Sequence, residues 1–130
     1  MPTILIVEDH DDIRDMIARR MEKHGFSVVT AGNGVEGVLA AAQSAPALIL
    51  MDINMPELDG IEATVQIRAA APNQQTPVIA LTAYALPGDA ARAKAAGCDD
   101  FHPKPVDFDR LFQQIEHLIG QTTSGLDPSS

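Results

Sequence analysis

The chain has 130 residues, 45% of them hydrophobic, with no Trp and a single Tyr, so it is expected to form one domain around an aliphatic core. Its net charge of −9 and pI near 4.6 exclude a nucleic-acid backbone as partner, because that partner needs a basic surface. No run is apolar enough to span a bilayer, no leader pattern opens the chain, and Cys98 is a lone cysteine, which together predict a cytoplasmic protein without membrane attachment.

Thr3 to Val7 (TILIV) is a continuous apolar run, as a strand covered on both faces requires. From Asp12 to His24, Ile13, Met16, Ile17 and Met21 follow helical spacing, and Gly25 ends the pattern. Phe26 to Thr30 reads as a second strand. Val35, Val38, Leu39 and Ala42 then form a helical stripe that stops before Pro46. Ala47 to Met51 (ALILM) is the most apolar run and is expected at the centre of the sheet. A loop, Asn54 to Gly60, follows, with Asp59 and Glu62 spaced as a helix-capping pair. The next helix carries Ile61, Val65 and Ile67 and breaks near Pro72. Pro77 to Leu81 is a fourth strand, and Pro87 opens an Ala-rich helix that ends at Gly97. Asp100 to His102 supplies a short fifth strand. The last helix is the clearest, with Phe108, Leu111, Phe112, Ile115, Leu118 and Ile119 on one stripe. Residues 1–120 are thus assigned to one domain, and the polar stretch 121–130 is predicted to be a disordered tail.

Five strand–helix alternations predict an α/β fold, a doubly wound parallel (βα)5 sheet with right-handed crossovers. Ligands of such sheets bind at the carboxyl edge of the strands. At that edge the chain places Glu8 and Asp9, Asp52, Thr82 and Lys104, each at or just beyond a strand end. Taken singly, Asp52 is an ordinary turn residue and Thr82 an ordinary strand end. Glu8 and Asp9 could cap the first helix, although Asp12 is the better candidate for that cap. Lys104 lies between Pro103 and Pro105, an unusual setting for a solvated charge, and Lys104-Pro105 is a candidate cis bond. Taken together, three carboxylates in one crevice repel one another unless a cation joins them, and oxygen ligands with retained water suit Mg2+. Asp52 is the carboxylate placed to act as nucleophile. His10, His24, His102 and His117 are too scattered for a metal cluster, and His10 is expected to face solvent at a helix start.

The segments ILIVEDH, LILMDINMPELDG, VIALTA and CDDFHPKP, in this order and spacing, resemble the receiver domain of two-component response regulators over residues 3 to about 120. The likeness is to stand-alone, chemotaxis-regulator-like members, and it implies a flavodoxin-like sheet of strand order 2-1-3-4-5. It also implies transfer of a phosphoryl group onto Asp52 from the phosphohistidine of a sensor histidine kinase or a phosphotransfer protein. By the same resemblance Mg2+ (or Mn2+) is held by Glu8, Asp9, Asp52 and the backbone carbonyl of Asn54, while Thr82 and Lys104 contact phosphoryl oxygens. Thr82 and Phe101 form the switch, and Asn54 and Tyr84 set the lifetime of the phosphoryl group. The output is binding of a downstream protein through the Pro87 to Ile119 face, with no nucleic acid and no membrane.

Three other functions compete. A receiver excised from a hybrid histidine kinase or multidomain regulator fits the same motifs. An aspartyl-phosphate phosphohydrolase would use the same crevice, but needs a second Asp as general acid where this chain has Asn54. An FMN carrier of the same architecture needs hydroxyl or glycine donors after the first strand, where Glu8 and Asp9 would repel a phosphate.

Overall fold

The computed structural model describes residues 2–55, 58–70, 75–82 and 88–124. Strands and helices alternate along them: β1 (Thr3–Val7), α1 (Asp11–Lys23), β2 (Ser27–Ala31), α2 (Gly34–Ser44) and β3 (Leu48–Asp52) come first. Then follow α3 (Gly60–Ala69), β4 (Val78–Thr82), α4 (Asp89–Ala96), β5 (Asp100–Pro103) and α5 (Phe108–Ser124). Every strand pair is parallel, and the sheet order is β2-β1-β3-β4-β5, as expected. The chain reverses its direction of travel across the sheet between β1 and β3, which opens a crevice at their carboxyl ends. β3, entirely buried, is the central strand.

The alternation of side chains along each strand sorts the core into two layers. Ile4, Ile6, Leu50 and Leu81 face Ile17 and Met21 of α1 and Leu111 and Ile115 of α5. Leu5, Val7, Met51 and Ala80 face Ala41 of α2, Ala63 and Ile67 of α3, and Ala93 of α4. At the amino edge, Arg68 ties α3 to its neighbours. Its Nε and Nη2 donate to the Gly97 carbonyl at 3.0 and 2.7 Å, Nη2 also meets Asp99 at 2.7 Å, and Nη1 bonds the Thr76 carbonyl.

Several local expectations change. α1 starts at Asp11 with His10 as N-cap, so Asp12 lies within the first turn rather than capping it. There its charge still complements the helix dipole. In α2 the apolar stripe is rotated: Val35 and Leu39 are 53% and 57% exposed, Val38 is half-buried against the core as expected, and Gly34, Gly37 and Ala41 are buried. The cause is close approach. A Cβ on Gly34 would fall 2.3 Å from the Leu58 carbonyl oxygen, and one on Gly37 3.0 Å from the Val7 methyls. Val65 likewise faces outward, and Ala63, Thr64 and Ile67 carry the contact of α3. Asp59 does cap α3, accepting from the Glu62 N–H at 2.9 Å. α5 continues four residues past Gly120, through Ser124. A glycine inside a helix costs only about 1 kcal/mol and leaves its hydrogen bonds in place. The rest of the predicted tail, 125–130, lies outside the described residues, as do Pro72 and Pro87. Lys104-Pro105 is cis. Among the described residues, no helix is long and apolar enough to cross a membrane.

Candidate functional site

Each acidic residue at the carboxyl edge is carried there by a buried apolar strand. Asp52 is the last residue of β3 and Glu8 directly follows β1, and both are almost wholly buried. Lys104, directly after β5, reaches across to them. Its Nζ lies 2.6 Å from Glu8 Oε1 and 3.3 Å from Asp52 Oδ2. The other Asp52 oxygen accepts from the Asn54 backbone N–H at 3.0 Å. Thr82, ending β4, donates its hydroxyl to Asn54 Oδ1 at 3.0 Å. Thr82 thus reaches the acid pocket through Asn54. α3 closes the floor, because a Cβ on Gly60 would lie 2.3 Å from the Asp52 carbonyl oxygen.

Burial, then the Glu8 carboxyl beside it, push the Asp52 carboxyl up to about 7, against the weaker pull of the Asn54 N–H and Lys104. Burial also opposes ionisation of Glu8, but the hydrogen bond from Lys104, with help from Asp52 and the His10 N–H, holds it down at about 2. Lys104 loses hydration on burial, yet its bond to Glu8 and the Asp52 charge raise its pKa above the usual lysine value. The Lys104–Glu8 pair is therefore firmly charged, and Asp52 is the carboxylate left short of positive charge.

Asp9 stands beside this pair. Its Oδ1 is buried and has no hydrogen-bond partner among the described residues. With Glu8, Asp9 and Asp52 ionised and Lys104 charged, the pocket carries an excess of two negative charges. An orphaned carboxylate oxygen and that excess fit a hard divalent cation with oxygen ligands.

The five predicted residues converge, and Asn54 joins them. Phe101 does not touch the pocket. It is half-buried on the α2–α3–α4 side of the sheet, where it lines a groove of about 400 Å³ with Ala90, Ala93 and Cys98. Its carbonyl accepts from Gln114 of α5 at 3.0 Å. Tyr84 lies outside the described residues. Two neighbours of the site were missed. Arg14 Nη1 donates to the Glu8 carbonyl at 2.9 Å, fixing the turn after β1. His10, expected to face solvent, is 69% exposed as expected and also holds Nδ1 at 3.5 Å from both Glu8 Oε2 and Asp9 Oδ1. Its place directly after the acidic pair was the available signal.

A family model for the response regulator receiver domain matches residues 4–116. The polar-differentiation response regulator DivK of Brucella anthropi is 33% identical over 118 residues, 91% of this chain and 96% of that protein. The receiver domain of a sensor histidine kinase from Pseudomonas aeruginosa, solved with a magnesium ion in its active-site cleft, is 35% identical with a TM-score of 0.85. The match covers 92% of this chain and 98% of that one. Chemotaxis protein CheY4 of Vibrio cholerae gives a TM-score of 0.87 at 28% identity, over 91% of this chain and 98% of its own.

Proposed function

Because the chain belongs to the response regulator receiver domain family, we propose that Asp52 is its phosphoacceptor, loaded from the phosphohistidine of a sensor histidine kinase or a phosphotransfer protein. An oxygen of ionised Asp52 attacks phosphorus as the donor P–N bond breaks. Such a transfer asks little covalent chemistry of the protein and much charge neutralisation. Lys104 is the fixed cation for it, already 3.3 Å from Asp52 Oδ2. Glu8 holds that ammonium in place. The Thr82 hydroxyl, one residue from the pocket through Asn54, is the donor that can turn to a phosphoryl oxygen. Glu8, Asp9, Asp52 and the Asn54 carbonyl would hold Mg2+ (or Mn2+), which when bound supplies the remaining positive charge. The observation that carries the reading is the nearly fully buried Asp52 beside Lys104, with an unsatisfied Asp9 oxygen at its side.

The output is a change of shape. When Thr82 turns from Asn54 towards a phosphoryl oxygen, space opens at the end of β4, and Phe101 moves inward from its groove beside α4 to fill it. Phe has no hydroxyl, so packing alone drives that step. The altered face, from Pro87 to Ile119, binds the downstream protein. The chain works as a signalling switch rather than as a phosphohydrolase. The residue two places after Asp52 is Asn54, whose Oδ1 accepts from Thr82 and which has no acidic proton to give a leaving group. The same chemistry serves a free regulator or a module within a kinase. Its setting is the cytoplasm, where the free Cys98 stays reduced.

The test is an intact mass after incubation with Mg2+ and a small acyl phosphate. One added phosphoryl group is expected, lost on removing the metal and lost in Asp52→Asn. Absence of an adduct with both small donors and a panel of histidine kinases sinks the proposal.

A further inference from the structure

His10 is absent from every assignment above, yet it shares a metal-sized space with the acidic pair. Its backbone N–H donates to Glu8 Oε2 at 3.2 Å, which pins that oxygen over the turn after β1. Its Nδ1 then stands 3.5 Å from the same oxygen and 3.5 Å from Asp9 Oδ1. These three ligand atoms all lie within 4.8 Å of one another. In an octahedron with bonds of about 2.1 Å, neighbouring ligands are about 3 Å apart and opposite ones about 4 Å. The spacing fits such a shell after small side-chain adjustment. Glu8 Oε1 is occupied by Lys104, whereas Asp9 Oδ1 is buried without a partner. The unsatisfied oxygen, the pinned oxygen and the imidazole nitrogen therefore lie around one small space.

From this geometry we infer that His10 joins Glu8 and Asp9 as a ligand of a cation at the turn after β1, and that its imidazole strengthens the preference of that site for a borderline transition dication such as Zn2+ over Mg2+. An added imidazole strengthens binding along the transition series and does little for Mg2+, which prefers oxygen and retained water. The inference rests on the reading of Glu8 and Asp9 as metal ligands. A simpler role for His10, as an ion-pair partner of the two carboxylates, makes the opposite forecast. Removing a competing cation would then tighten binding of both metals.

The test compares the whole chain with His10→Ala, an exposed position where truncation leaves the core intact. Zn2+ affinity is measured by competition with a chromophoric chelator, and Mg2+ affinity by calorimetry. The imidazole 15N shifts are followed by NMR during both titrations. Zn2+ binding about tenfold weaker or more in His10→Ala, with Mg2+ affinity unchanged within about twofold, is expected. The His10 ring should shift with the first equivalent of Zn2+. Equal or tighter Zn2+ binding in the variant overturns the inference, and so does a first equivalent that moves the ring of His24, His102 or His117 instead. Failure of the magnesium reading looks different: wild-type protein would take Zn2+ through His10 and take no Mg2+.

Discussion

The two helical layers on this sheet are made of different material. The α1–α5 layer buries Ile17, Met21, Leu111 and Ile115, and its rim is aromatic, with His24 stacked 3.9 Å from Phe112 and the Arg20 guanidinium 4.2 Å over Phe108. The α2–α3–α4 layer buries Ala41, Ala63 and Ala93, with Ile67 as its one large, fully buried helical side chain among the described residues and Val38 and Ile61 half-buried beside it. Large side chains remove more apolar area from water per residue, so the first layer is the stronger anchor. Small ones let backbones approach, as Gly34 does against Leu58 and Gly60 against Asp52. Thr82 shares its strand face with Val78 and Ala80, so it and Phe101 belong to the small-residue side. The proposed switch pair sits on the lighter anchor. A helix held through alanines costs less to displace than one held through leucines.

The strongest way to break this contrast is to truncate one residue in each layer. Leu111→Ala is expected to cost about 2–5 kcal/mol, and Ala93→Gly only about 1 kcal/mol. Urea unfolding of the two variants measures both, and equal losses would abolish the distinction. Next comes the close approach beneath the site. Gly60→Ala drives a Cβ into the Asp52 carbonyl and should cost about 1–3 kcal/mol by thermal unfolding, with slower labelling of Asp52 by an acyl phosphate. Unchanged labelling would mean that α3 does not position the acceptor.

Both layers are apolar, so pH acts mainly through the pocket between them. Asp52 is raised from 3.8 to about 7, so its contribution to stability is full below pH 3.8 and is lost as pH rises through 7. Glu8 is lowered from 4.5 to about 2, so its contribution is full above pH 4.5 and is lost as pH falls through 2. Metal-free protein should therefore melt lower at pH 7.5 than at pH 5, by about 5 °C. Mg2+ should offset that fall, and Asp52→Asn should remove it; a flat profile in metal-free wild-type protein would refute the assignment. The smallest effect is expected on the outer face of α2, where Val35→Gln and Leu39→Gln should each change stability by less than about 0.5 kcal/mol. A loss above 1 kcal/mol there would show that the stripe is covered in solution.

Glu8 and Asp52 were legible as edge residues because each ends or directly follows a buried strand, whereas the strand order came from the family resemblance. A strand covered on both faces must be a continuous apolar run, and its first polar residue marks the carboxyl edge. TILIV before Glu8 and ALILM before Asp52 are such runs. The facing of α2 was not legible. Val35, Val38, Leu39 and Ala42 have helical spacing, but spacing only says that a stripe exists. Which stripe turns inward was decided by the Leu58 carbonyl and the Val7 methyls, which leave room for Gly34 and Gly37 alone.

The site divides in the same way. Sequence placed Glu8, Asp9, Asp52, Thr82 and Lys104 at one edge, since topology alone sends the ends of parallel strands there. It could not show that Thr82 reaches the pocket through Asn54, that Lys104 is paired with Glu8 at 2.6 Å, or that His10 turns towards the acids. Local pattern determines which residues leave a strand at the edge. Side-chain partners across 28 or 96 residues of chain are decided by packing, because only the folded sheet brings those atoms within reach of one another.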